Sequence, residues 1–156
     1  MARLLALGSL CLFLAAAASP RAQGAAAGPA PGVTDNAAVQ RVLDDYIGLY
    51  TKERLAEWKA LFLPGFTATY TNADGSVTTR TLEEFYESQR AGFARAAMTE
   101  TLHDVRITRV GRLAHVLAGF DFTSGGSTRR GRLMLMMIES QGQFRIASLT
   151  FTYHLP

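Results

Sequence analysis

Cysteine is all but missing from this sequence. The one thiol, Cys11, lies inside an N-terminal apolar run, so a chain that has lost that run has no disulfide or thiol chemistry. Histidine is scarce too, at three in 156 residues. None of the three stands in an HExxH arrangement, so no metal site is expected. GxSxG, a P-loop and GxGxxG are also absent, which removes the local signatures of elbow-type hydrolases, NTPases and dinucleotide enzymes. No cofactor is expected. Charge of one sign is lacking as well: 16 Lys and Arg stand against 13 Asp and Glu. No basic stripe with interleaved aromatics gives a footing for nucleic acid.

What is present begins with residues 1–24, which have the layout of a secretory signal: Arg3, an apolar run from Leu4 to Ala18, then small residues. Cleavage is expected after Ala18 or after Gly24, the second preferred because Pro20 crowds the first. Its loss takes away Arg3 and Arg21, so the 16 basic residues become 14 against 13 acidic ones. The run is 15 residues long, short of the roughly 20 that a spanning helix needs. Export to the periplasm or the medium without a stable membrane anchor is therefore expected. Residues 25–33 (AAAGPAPGV) read as a flexible tether, and residues 34–156 as one domain with a core of its own.

The domain opens with a predicted helix capped by Thr34 or Asp35, on which Val39, Val42, Leu43, Tyr46, Ile47 and Tyr50 recur at helical spacing. A second, short helix is predicted from about Glu53, with Leu55, Trp58, Leu61 and Phe62 on one face and Pro64-Gly65 ending it. Phe66, Ala68 and Tyr70 then alternate with threonines, and Asn72-Ala73-Asp74-Gly75 turns the chain back into Val77, Thr79 and Thr81. Thr81-Leu82-Glu83-Glu84 reads as a capping box opening a third helix that runs to about Ala97, with Leu82, Phe85, Tyr86, Gln89 and Phe93 inward.

From Thr99 the apolar period becomes two. Turns at Gly111-Arg112, Ser124 to Ser127 and Ser140 to Gly142 divide the rest into four long strands. The last two, GRLMLMMIE and QFRIASLTFTYH, are apolar on both faces, so each face of that ribbon calls for cover. The fold class is α+β: three N-terminal helices gathered on one face of a strongly curved, mainly antiparallel sheet that encloses a cone-shaped space.

A two-residue loop at Gly111-Arg112 would pair residues whose numbers sum to 223, setting His103 opposite Phe120 and Thr108 opposite His115. In that register His103 points inward with Val105, Ile107, Val116, Ala118 and Phe120, while His115, Asp104 and Asp121 point out. An inward imidazole titrating near neutrality could serve as a general base or orient a polar ligand; a satisfied core histidine is the bland alternative. Tyr46, Tyr50, Tyr70 and Tyr86 could each place a phenolic donor at the edge of an apolar cavity, or simply fill the core rim; Tyr46 is central on its stripe. Arg129, Arg130 and Arg132 form a basic cluster, either solvated or aimed at an anion. Met134, Met136 and Met137 read as core or subunit-interface filler.

The order of elements, with DYIGLY, LAEWKALF, TLEEFYESQ and RGRLMLMMIESQGQFRIASLTFTY in turn, resembles the nuclear-transport-factor-2-like superfamily over about residues 34–154, most nearly its SnoaL-like domains. The resemblance implies a cone with a pocket between helices and sheet, dimerisation through the sheet, and functions from isomerases, dehydratases and cyclases to ligand binders and non-enzymatic partners. Ketosteroid isomerases in this superfamily use a first-helix tyrosine, matched here by Tyr46. Their two carboxylates fall at Tyr70 and near Met134, so neither is present. Three readings stay open: a pocket for a small, largely apolar molecule contacted by Tyr46, Tyr50, Tyr70, His103 and Phe120; an isomerase, dehydratase or cyclase with His103 as base and Tyr46 as donor; and an interaction module. A homodimer is expected.

Overall fold

A computed structural model describes residues 36–72 and 74–154. The signal and tether readings, and the Thr34 or Asp35 cap, lie outside them. Helix α1 (Ala37–Gly48) follows Asn36, whose side chain makes no capping bond. Its buried residues Val39, Leu43 and Tyr46 lie on one side, with the following Leu49 and Tyr50 buried as well. The apolar stripe thus goes into the core, because burial of that face rather than any cap holds the helix.

Helix α2 (Leu55–Lys59) is shorter than the periodicity predicts. Leu61 is already out of it, and Phe62 opens strand β1 (Phe62–Thr71). Pro64-Gly65 therefore does not stop a helix. It sits in the strand, where the pairing with the last strand shifts register between Phe62 and Thr67. A residue without an N–H is tolerated where the ladder is interrupted. Trp58 is 1% exposed, within 4.6 Å of Phe62, 5.2 Å of Tyr50 and 5.8 Å of Phe85 by ring centroid. This aromatic knot fastens the short helix to its neighbours.

Strand β2 (Val77–Thr81) pairs antiparallel with β1 and feeds directly into α3 (Leu82–Arg95). The capping box is present in both directions: Thr81 Oγ1 accepts from the Glu84 amide at 3.4 Å, and Glu84 Oε2 accepts from the Thr81 amide at 2.8 Å. A cap of this kind contributes about 1 kcal/mol. Strands β3 (Met98–Val110), β4 (Leu113–Ser124), β5 (Ser127–Ser140) and β6 (Gln143–Tyr153) follow as a meander. Their tight turns carry positive φ at Gly111, Gly125, Gly126, Gln141 and Gly142, as two-residue hairpin loops require.

The six strands lie in the order β2-β1-β6-β5-β4-β3, with β1 and β6 parallel and every other pair antiparallel. The parallel pair makes the sheet mixed, and the register shifts within it favour bending and curling around the helices. The inner face of β4 to β6 is fully buried at Val116, Ala118, Leu135, Met137 and Ile146. On the outer face Leu113, Leu117, Met134 and Met136 are exposed. Among the described residues only one side of the apolar ribbon is covered, and the three methionines divide accordingly.

Candidate functional site

The sum-of-223 register holds near the turn, for Val110 with Leu113, Thr108 with His115 and Arg106 with Leu117. It then fails. His103 pairs with Gly119 and Leu102 with Phe120, the shift falling between His103 and Arg106. Asp104 takes φ 51° there, so β3 carries an extra residue, which exchanges its two faces beyond that point. The inward place expected for His103 is therefore corrected. Its ring lies on the outer face over Gly119, with a Cβ built on that glycine falling 2.2 Å from the imidazole. Its Nδ1 is 3.0 Å from Asp104 Oδ2, and Nε2 is 3.9 Å from Asp121 Oδ1. Val105 is exposed but borders a groove on the helix side with Leu43 and Ile47 of α1, and Ile107, before the shift, keeps its inward place.

The same exchange turns Met98, Glu100 and Leu102 inward. Glu100 is the residue that sequence reasoning missed. It lines a cavity of about 610 Å³ between the helices and the inner sheet face. The Tyr46 hydroxyl donates to its Oε1 at 3.2 Å. Burial pushes the Glu100 carboxyl up from 4.5 to about 7, a rise that the hydrogen bond from Tyr46 partly opposes. The same burial, with Glu100 nearby, holds the Tyr46 hydroxyl well above its ordinary value, so it stays protonated. A carboxyl poised between its two forms at neutral pH, in an aromatic cavity, can accept and return a proton.

Of the other expected site residues, Tyr46, Tyr50, Tyr70 and Phe120 all line this cavity. His103 does not. Tyr50 donates to Gln89 Oε1 at 2.5 Å, which ties α1 to α3 at the cavity wall. Tyr70 stacks on Phe151 at 4.9 Å with an 18° angle between the rings. Phe120 meets Phe151 and Tyr153 edge-on at 6.1 and 5.4 Å. Trp58, Phe85, Leu133 and Leu149 close the buried end, while Arg95, Arg129, Thr152 and His154 belong to the exposed part of the lining. The arginine cluster splits by strand alternation: Arg129 lines the cavity, and Arg130 pairs outside with Asp121 at 3.3 Å.

The family model for the SnoaL-like domain matches residues 32–150. Among solved structures, an NTF2-like protein of unknown function from Shewanella baltica is similar at 16% identity, covering 81% of this chain and 99% of its own, with a TM-score of 0.62. A dehydratase candidate of the NTF2-like family from Streptomyces avermitilis is 15% identical, with 79% and 98% covered and a TM-score of 0.65. A scytalone dehydratase candidate from Novosphingobium aromaticivorans is 14% identical, with 76% and 83% covered and a TM-score of 0.62. At such identities the likeness is one of fold. No curated protein matches the chain.

Proposed function

We propose that this chain, which belongs to the SnoaL-like domain family, binds a small, largely apolar molecule in its cavity and moves a proton on it, in the manner of an isomerase or dehydratase. The observation that carries this reading is Glu100, the carboxyl on the inner face of β3 that accepts from Tyr46 at the cavity wall. Glu100 takes the part that the enzyme reading of the sequence offered to His103. As a carboxylate it removes a proton from a substrate carbon. As a carboxylic acid it returns that proton, to another carbon in an isomerisation or to a departing hydroxyl, lost as water, in a dehydration. Tyr46 spends its O–H on Glu100 and so acts as a positioning residue that fixes which oxygen lone pairs face the cavity. Similarity in fold to two dehydratase candidates is consistent with the reading but does not supply it.

The base can be tested before any substrate is known. 5-Nitrobenzisoxazole is a small aromatic that opens to a coloured cyanophenolate when a base removes its C–H proton and the N–O bond breaks. The expected result is turnover that rises with pH through an apparent pKa near 7 and is lost in Glu100→Gln, with unchanged folding by circular dichroism. Turnover unaffected by that substitution, or none at any pH, rejects Glu100 as the base.

We propose in addition that two copies associate through the outer sheet face, where Leu113, Leu117, Met134 and Met136 are open to solvent, and that residues 1–24 direct export. Intact-mass measurement of protein recovered from its native compartment checks the second point, the expected start being residue 19 or 25.

A further inference from the structure

The cavity is graded along its length. At the buried end its wall is ring and aliphatic carbon: Trp58, Phe85, Leu133 and Leu149 are each 5% exposed or less. At the other end the lining residues are exposed, and they come from three separate parts of the chain: the end of α3, the β4–β5 hairpin and the end of β6. Among the described residues the charged groups there are of one sign. Arg95 leaves the last turn of α3, and Arg129 lies two residues beyond the start of β5, on the inward alternation with Gly131 and Leu133. Among the described residues neither arginine forms an ion pair, whereas Arg54, Arg90, Arg109 and Arg130 all do. Among the described residues, Glu100 is the one carboxylate lining the cavity.

Arg129 is also held. Its guanidinium lies 4.1 Å from the centre of the Tyr153 ring and 5.6 Å from that of Phe122. Stacking on ring faces occupies the flat of the guanidinium and leaves its N–H edge free. That edge is a planar fork of donors matched to a carboxylate. A cation kept on the apolar lining by aromatic contacts, without a carboxylate of its own, is placed for an anion that arrives with the ligand. The backbone supports the same end of the cavity: the His154 amide donates to the Arg130 carbonyl at 2.8 Å, tying the end of β6 to the strand that carries Arg129.

The geometry points to a ligand that is an apolar acid, its hydrocarbon or ring body lying towards Trp58 and Phe85 and its carboxylate held at the open end by Arg129 and Arg95. This deepens the proposed function and rests on it only in taking the cavity to be the ligand site. It sets the polarity of binding: the head group stays at the rim, and the body lies towards Trp58 and Phe85. Ligands of the same body with an alcohol or amide head forgo the charged pairing and bind more weakly.

Isothermal titration of the whole chain with octanoate and with 1-octanol tests the assignment. Octanoate is expected to bind roughly tenfold more tightly than the alcohol, as a charged hydrogen-bonded contact permits, and to weaken as salt is raised. The double variant Arg95→Gln, Arg129→Gln is expected to lose that advantage while holding 1-octanol within about twofold of the parent, a change of the size that one neutral contact makes. Both side chains are exposed, and a parallel thermal melt confirms that the variant folds. Equal affinity for the two ligands, or equal loss for both in the variant, overturns the acid head group and leaves the cavity as a binding site. Failure of both ligands to bind overturns the inference together with the cavity reading, and proton transfer by Glu100 is judged separately with 5-nitrobenzisoxazole.

Discussion

The Tyr46 hydroxyl on α1 stands 3.2 Å from Glu100 Oε1 on β3 and donates to it. These residues are 54 positions apart in the chain, and the contact crosses the cavity wall from helix to sheet. Two effects of opposite sign meet at the carboxyl. Burial disfavours its charge, the hydrogen bond favours it, and burial prevails, leaving the group near neutrality.

A stability profile against pH follows. Glu100 rises from 4.5 in the unfolded chain to about 7 in the fold. Between those values the native state holds a proton that the unfolded state has released, so stability falls as pH rises. The contribution is whole below about 4.5 and gone above about 7. At ~1.4 kcal/mol for each pH unit, the buried charge costs the fold up to about 3 kcal/mol at pH 8. Glu100→Gln is expected to be more stable than the parent at pH 8 and to lose that margin by pH 4.5. Urea unfolding at the two pH values checks it; a margin that does not depend on pH contradicts the buried titrating carboxyl.

Tyr46→Phe separates positioning from packing. The phenol ring sits in the Trp58 and Phe62 cluster at centroid distances of 5.7 and 6.3 Å, and phenylalanine keeps that ring. Only the donor to Glu100 goes, at a stability cost of about 1 kcal/mol. Without it the carboxylate is less favoured, so the Glu100 pKa moves further up. The pH profile of 5-nitrobenzisoxazole turnover is expected to shift to higher pH and to keep its plateau within an order of magnitude. An unmoved midpoint rejects the positioning role.

The sequence carried the element order well. Helical spacing named the face of α1, the capping box named the start of α3, and the glycine-bearing turns located all four long strands, because each is a local signal read within a few residues. The site was less legible. Tyr46, Tyr50, Tyr70 and Phe120 lie before the bulge or across from it, and their cavity positions follow from simple periodicity. Glu100 and His103 lie on its far side, so a period of two carried past Asp104 exchanged them. An Asp at that position, a residue that tolerates left-handed backbone, was the available signal. Leu61 and Phe62 misled for a related reason: a short apolar run suits a helix or a buried strand equally well. Strand β1 starts there because pairing with β6 decides the matter.

Two glycines on the long strands should respond unequally to an added methyl group. At Gly131 a Cβ would fall 2.3 Å from the Thr152 carbonyl oxygen and 2.5 Å from the Phe120 ring, backbone and buried core that cannot retreat. At Gly119 the nearest atoms it would meet are those of the His103 imidazole, an exposed ring that can give way by turning outward. Gly131→Ala is expected to cost about 3 kcal/mol or more, and Gly119→Ala about 1 kcal/mol. Chemical denaturation of the two variants orders them, and the reverse order would contradict the β5–β6 packing described above.

The outer face of the sheet yields the last prediction. Leu117 and Met134 are directly opposed across β4 and β5, as are His115 and Met136. Leu117 is 44% exposed, Met134 46% and Met136 38%. These side chains form an adjoining apolar group on one face, with a few polar neighbours such as His115, and contiguous apolar surface of this kind marks an interface. Met134→Glu places a charge at the centre of that group without touching the cavity or the buried side of the strand. If the proposed homodimer forms there, sedimentation of the parent gives a dimer and that of the variant a monomer. The monomer's melting temperature at low concentration is expected to match that of the dissociated parent, because an exposed position leaves the fold itself little changed. A parent that sediments as a monomer throughout the micromolar range removes the homodimer, and a variant that remains dimeric moves the interface elsewhere.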